Sequence, residues 1–113
     1  MPDSCVFCQR IDAGDLSAEN DLAAAFPDEH PVSPGHMLIV PKRHEPDLFA
    51  LTDEQQDAVW ALLRRVHSRL ERDKAPAAYR VQVRIGEAAG QTVMHAHVHL
   101  IPQEPGGSPA EPR

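Results

Sequence analysis

Between positions 90 and 102 three histidines alternate with small or apolar residues, in the run Gly90-Gln91-Thr92-Val93-Met94-His95-Ala96-His97-Val98-His99-Leu100-Ile101-Pro102. Alternation at period two is strand geometry. It predicts His97, His99 and Ile101 on one face of a strand and Ala96, Val98 and Leu100 on the other. The apolar face is the one such a strand buries, so the histidines are expected on the open side. Same-face neighbours on a strand lie about 6.5–7 Å apart, close enough for two imidazoles to reach one phosphoryl group or one metal ion. A single histidine here would read as an ordinary surface residue; three at strict spacing describe a site.

The length of 113 residues bounds what can surround that strand. It allows one domain with a modest core and is too short for the large barrels that usually host multi-histidine metal hydrolases. The net charge of −6 disfavours nonspecific binding to nucleic acid polymers or anionic membranes, while leaving room for a local positive pocket that takes a small anion. No apolar run approaches the roughly 20 residues of a membrane span, and the N-terminus lacks a signal-peptide pattern. A cytoplasmic protein is the expectation. Both cysteines lie near the start, as Cys5-Val6-Phe7-Cys8. Three readings stay open for such a pair: half of a zinc site, a redox pair, or two inert thiols. A redox pair normally opens a helix after a buried strand, and only four residues precede Cys5. A zinc site needs two more ligands, for which His44 and His95 are available.

Around these motifs the chain reads as short strands and one long helix. Gly14 and the polar cluster at 15–20 end a first unit. Residues 22–26 and 36–41 read as two strands of a hairpin, linked through the turn-rich segment 31–35 with its two prolines. Thr52 and Gln55 fit a capping box, and Val59, Leu62, Leu63, Val66 and Leu70 recur at helical spacing, which predicts a helix over residues 53–73 closed by Pro76. Trp60 and His67 fall off the centre of that stripe, as flank packing, solvated groups or a partner surface. Tyr79, Val81, Val83 and Ile85 alternate with Arg80, Gln82 and Arg84, a half-buried strand. Paired antiparallel with the histidine strand, it places Arg80, Gln82 and Arg84 on the face of His97 and His99. Residues 103–113 hold prolines and glycines with no apolar run and read as a loose tail.

Three segments, the cysteine pair, residues 31–44 and residues 90–102, make the chain resemble the histidine-triad (HIT) family of nucleotidyl hydrolases and transferases, in its zinc-containing Hint-like branch. The resemblance runs almost end to end. It implies an α+β fold with a mostly antiparallel five-stranded sheet, one long helix and a short N-terminal helix, a single domain over 1–102 with 103–113 as tail, and usually a homodimer. It implies that His97 attacks the α-phosphorus of a nucleotide, that His99 hydrogen-bonds an α-phosphate oxygen and that His36 helps to hold the same group. Gln91, Thr92 and the Val93 backbone N–H resemble the loop that gathers phosphate and leaving-group oxygens. Asp28 stands where the family binds ribose hydroxyls, and Phe26, Glu29 and His30 are further candidates near a pocket for a purine nucleotide or its conjugate. Cys5, Cys8, His44 and His95 match the four ligands of the family's structural zinc.

Two departures bear on activity. Arg84 stands where the family usually carries an asparagine that positions the phosphate, two residues before Gly86. As a nucleotide-binding residue it would contact phosphate through a bidentate fork. Swung outward it contributes nothing, and a carboxylate such as Glu87 offers a third partner. Gln103 follows Pro102 where many relatives continue with a basic residue and a glycine-rich stretch. Three functions follow: an enzyme cleaving a nucleoside phosphoramidate or related conjugate or dinucleotide through a nucleotidyl-His97 intermediate, a nucleotide-binding regulatory or scaffold protein, or a metallohydrolase using the triad itself.

Overall fold

The computed structural model describes residues 4–107 and 110–112; positions 1–3, 108, 109 and 113, which include part of the tail read from sequence, lie outside the described residues. Helix α1 (Val6–Ala13) is followed by strands β1 (Ala18–Glu19), β2 (Ala23–Pro27) and β3 (Met37–Pro41), helix α2 (Asp53–Asp73), and strands β4 (Ala78–Gln82) and β5 (Val98–Gln103). The five strands form one sheet in the order β1-β2-β3-β5-β4, with every neighbouring pair antiparallel. This is the α+β architecture read from the sequence.

The elements start and stop for local reasons. Cys5 caps α1 through its Sγ, which accepts the Cys8 N–H, and Gly14 ends the helix with a left-handed φ of 71° that a side chain would strain. Thr52 and Gln55 form the reciprocal capping box at the start of α2, with Asp53 and Glu54 favourably placed in its first turn. The hairpin is present as β2 paired with β3, in a register that sets Ala25 opposite Ile39 and Phe26 opposite Leu38.

Two extents differ from the sequence reading. The strand predicted to run through Ile85 stops at Gln82, and the histidine strand starts only at Val98, so His99 lies in β5 while His95 and His97 precede it. The chain turns through Gly86 and a short 3₁₀ segment, Glu87–Ala89, and the loop after it binds elsewhere: the Ala96 N–H donates to the Glu45 carbonyl, outside any ladder. β5 also carries one residue into the segment read as tail.

The sheet is covered on both faces. Val59, Leu62, Val66 and Leu70 of α2 pack on Ala23, Ala25, Ile39, Val98 and Leu100. On the opposite face Cys5, Phe7 and Cys8 cover Ala24, Phe26, Leu38 and Val40. The expectation that the histidines sit on an open side is therefore wrong: His95, His97 and His99 are 0%, 5% and 2% exposed. Their face is closed by α1, about 90 positions away in sequence, which no local periodicity reports. Two-sided burial also explains why β2 reads as an unbroken apolar run rather than an alternating one. Of the two off-stripe residues of α2, Trp60 packs at the core edge, and exposed His67 sets its ring edge-on to Tyr79 at 4.7 Å between centroids.

Leu62 is fully buried between α2 and the sheet, whereas its neighbour Leu63 is only partly covered. Leu62→Ala is expected to lower unfolding free energy by about 2–5 kcal/mol in urea titrations, and Leu63→Ala by clearly less. Equal losses would contradict the orientation of α2 described here.

Candidate functional site

Four soft or imidazole ligands converge where α1 begins. Cys8 Sγ lies 3.3 Å from His44 Nδ1 and 3.5 Å from His95 Nδ1, and Cys5 Sγ lies 3.4 Å from His95 Nδ1. All four ligand atoms fall within 4.8 Å of one another. A tetrahedron with metal–sulfur bonds near 2.3 Å and metal–nitrogen bonds near 2.05 Å has sulfur–nitrogen edges of about 3.5 Å. The three sulfur–nitrogen distances above, 3.3–3.5 Å, match those edges. His95 is oriented from behind, since its Nε2 lies 2.8 Å from the Pro41 carbonyl and donates to it, which leaves Nδ1 with its lone pair toward the cysteines. Burial pushes the Cys8 thiol up to about 11, with Cys5 adding to the effect. It is the tetrahedral edges and the lone pair that His95 turns toward the cysteines that favour metal ligation over redox chemistry.

Beside this cluster runs a chain of rings whose protons can be placed. The Val32 N–H donates to His36 Nδ1 at 3.1 Å, so the neutral His36 ring carries its proton on Nε2. That Nε2 lies 2.9 Å from His99 Nδ1 and 3.4 Å from Asp28 Oδ2, so its better-placed acceptor is His99. His99 Nδ1 thus accepts, and its own proton sits on Nε2. His97 Nδ1 lies 2.8 Å from the His95 carbonyl and can only donate there, which leaves the lone pair on Nε2. The two rings present opposite faces of the same chemistry: a donor on His99 and a nucleophilic or basic nitrogen on His97.

Burial keeps these rings neutral. It is the largest influence on His36, His97 and His99 and pushes all three down from the usual histidine value, His99 to about 4. For His99 the neighbouring rings of His97 and His36 add to the effect, Asp28 opposes it, and Arg84 lowers it further.

His97 and His99 line a cleft of about 510 Å³ together with Val6, Phe7, Arg10, Asp28, Glu29, His30, Leu38, Thr92 and Val93. That volume suits a small organic ligand. Asp28 Oδ1 already accepts the His30 N–H at 2.9 Å, and the carboxylate keeps further lone pairs for a ligand. Phe7 meets the His97 ring edge-on at 5.1 Å.

Four residues expected at the ligand are placed otherwise; His36, buried with Nδ1 taken by the Val32 N–H and Nε2 by His99, is the first and does not line the cleft. Phe26 is fully buried behind Phe7 and Arg10, with the Arg10 guanidinium 4.3 Å above its ring, and does not line the cleft. Gln91 spends its amide on the loop, accepting the Gly86 N–H at 2.7 Å and donating to the carbonyls of Pro46 and Val93. It shapes the turn that carries Thr92 and Val93. Arg84 also lies outside the cleft and pairs with Glu111 rather than Glu87, at 2.6 Å. Val6, Phe7, Arg10 and Leu38 line the cleft without having been singled out; as apolar or lone basic residues they carry no pattern that marks a site.

The HIT domain family matches residues 13–106 of the chain. The adenosine 5'-monophosphoramidase of Schizosaccharomyces pombe is 36% identical over 104 residues, spanning 88% of this chain and 74% of its own. The crystal structure of a HIT family protein from Bacillus anthracis superposes with a TM-score of 0.83 at 36% identity, covering 90% of this chain and 74% of that one. A zinc-bound histidine triad family protein from Mycobacterium smegmatis superposes with a TM-score of 0.82 at 30% identity, covering 94% and 79%.

The placement of protons can be read by nitrogen-15 NMR of the imidazoles. His99 is expected as the neutral Nε2–H tautomer at pH 6, with a titration midpoint near 4. The unfolded chain takes up the proton first, so the folded state loses stability as pH falls from about 6.5 toward that midpoint. A midpoint near the ordinary histidine value would show that the ring is not held in a buried relay.

Proposed function

The chain belongs to the HIT family, and from that premise we propose that it is a nucleotide hydrolase or transferase acting at the α-phosphorus of a nucleoside phosphoramidate or related nucleotide conjugate. The observation that carries this reading is the 2.8 Å contact of His97 Nδ1 with the His95 carbonyl, which directs a free Nε2 lone pair at the cleft. His97 Nε2 bonds to phosphorus as the bond from phosphorus to the leaving group breaks, and the leaving group departs with the electron pair. The His95 carbonyl steadies the cationic ring of the nucleotidyl-histidine that results. Water then attacks the same phosphorus and the N–P bond breaks. The net reaction adds the hydroxyl of water to phosphorus and its proton to the leaving group.

The other residues act by binding and orientation. His99 Nε2–H donates to an α-phosphate oxygen, held in that tautomer by His36 and, behind it, by the Val32 N–H. Fixed donors of this kind stabilise charge as it develops without having to reorganise. Thr92 and the Val93 N–H donate to phosphate oxygens from the wall of the cleft, and Gln91 shapes the turn that carries them. Asp28 binds the ribose hydroxyls, and Phe7, Leu38 and Val6 supply apolar surface for a purine. β4 is an edge strand with Val81 about half exposed, which supports the homodimer expected of the family.

Zinc belongs to the same reading, as a structural ion held by Cys5, Cys8, His44 and His95. Four protein ligands leave no open position for substrate. The ion would tie α1, and with it Phe7, to the loop that holds His97.

Two experiments test these assignments. His97→Ala is expected to lower turnover of adenosine 5'-phosphoramidate by on the order of 10⁴ or more, while adenosine monophosphate binds nearly as it does to the native chain; unchanged turnover would remove His97 from the reaction. Elemental analysis of protein purified without chelators is expected to find about one zinc per chain. The paired change Cys5→Ser and Cys8→Ser should lower both metal content and melting temperature. Metal-free native protein with an unaltered melting temperature would contradict the zinc site.

A further inference from the structure

Beside the cleft, β4 presents a basic group that the proposed reaction does not use. Gln82 lies opposite His99 and Arg80 opposite Ile101 in the ladder, and Arg84 follows two residues beyond the end of β4, near enough for its charge to act on His97 and His99. None of the three lines the cleft. Their partner is the segment 110–112. Glu111 accepts from Arg84 Nη2 at 2.6 Å through Oε1 and from Arg80 Nη1 at 3.4 Å through Oε2. Arg84 Nη1 donates to the Pro112 carbonyl at 3.0 Å, Arg80 donates to the Ala110 carbonyl, and the Gln82 amide oxygen accepts from Arg84 Nε and Nη2 at 3.2 and 3.0 Å. Pro112 is buried in this contact. Gly90 makes room for it: a Cβ there would stand 3.3 Å from Arg84 Cδ.

Register gives the contact a meaning. Phe26, Leu38, His99 and Gln82 are successive partners across β2, β3, β5 and β4 and form one row on one face of the sheet. Asp28 and Leu38, at the nucleoside end of the cleft, belong to the β2–β3 side. The ring of His99 is on β5, and the guanidinium pair lies on β4 (Arg80) and just past its end (Arg84). Strands are about 4.8 Å apart, so a ligand laid along the row meets nucleoside, α-phosphate and more distal groups in that order. Two guanidinium forks at the distal end suit oxyanions and offer little to a neutral amine. The chain has already set a carboxylate there.

We propose that Arg80 and Arg84 form an anion subsite for the phosphorylated leaving group of a nucleotide conjugate, and that Glu111 is its resident, displaceable occupant. The subsite rests on the nucleotide reading of the cleft and narrows it to conjugates whose leaving group is itself a phosphate or oligophosphate. Glu111 is 64% exposed against 21% for Arg84, so the contact is a surface ion pair that competes only weakly. A multiply charged phosphate displaces it.

The test uses the full chain and inorganic pyrophosphate at low salt, followed by calorimetry. Glu111→Gln is expected to bind pyrophosphate about two- to fivefold more tightly than native, the range of one exposed ion pair. Arg84→Met and the shorter, polar Arg84→Asn are both expected to lose most of that affinity, and adding Glu111→Gln to either should then change nothing. The backbone amides of residues 110–112 should shift on titration. Equal affinity in native and Glu111→Gln, or binding that survives both Arg84 changes, overturns the subsite. Adenosine monophosphate titrated in parallel answers to the nucleotide reading alone: failure to bind it would overturn that reading, whereas its binding beside an indifferent pyrophosphate result would overturn only the subsite.

Discussion

Burial of the histidine face is the constraint from which the site follows. Once α1 closes over β5, each imidazole loses water on several sides, and a buried polar atom without a partner costs about 1–3 kcal/mol. The structure meets that demand ring by ring. His36 is satisfied on both nitrogens, by Val32 and His99; His95 Nε2 by Pro41; His97 Nδ1 by the His95 carbonyl; and His99 Nδ1 by His36. Among the described residues, the ring nitrogens of His97 and His99 that make no protein hydrogen bond are the two Nε2 atoms, and both rings line the cleft. Satisfying the buried nitrogens and leaving the two cleft-side nitrogens free are therefore one arrangement. It also fixes the tautomers, because a neutral ring has a single proton to give.

The same burial marks the boundary of what the sequence discloses. Local information carries the fold well: the Thr52 and Gln55 cap, the stripe from Val59 to Leu70 and the apolar strands flanked by prolines all act over a few residues, and the structure has them. The convergence of Cys5, Cys8, His44 and His95 was legible through ligand chemistry and family resemblance, since spacing alone left three readings of the cysteines. What stayed hidden depends on distant segments. Histidines at period two read as an exposed face because nothing in residues 90–102 reports a helix at residues 6–13. Phe26 reads as a pocket aromatic until Phe7 and Arg10 are seen to cover it. Gln91 reads as a phosphate ligand until its amide is found spent on Gly86, Pro46 and Val93.

Arg84 shows how far one substitution can be followed by geometry. Its charge is felt at His97 and His99, where it lowers the pKa of both rings. Its side chain nevertheless turns from the cleft toward Glu111. A guanidinium so near the nucleophile favours the neutral ring, which the proposed attack needs, and Glu111 moderates the positive charge. An arginine at this position is thus compatible with the relay because the charge sits beside the rings and has its own counter-ion.

His95 joins the two halves of the site. Its ring points Nδ1 at Cys5 and Cys8 and Nε2 at Pro41, while its backbone carbonyl receives the Nδ1 proton of His97. The metal-ligand cluster and the candidate nucleophile therefore share one residue, through its side chain on one side and its main chain on the other. Any ion bound at the cluster would touch no substrate and still set the angle at which His97 meets the cleft. Phe7 completes the link. It stands between the two cysteines in sequence and packs edge-on against both His95 and His97, at 5.8 and 5.1 Å. The cysteine pair thus does more than close the N-terminus over the sheet. It carries the wall of the cleft and, through His95, the backbone atom that orients the His97 ring.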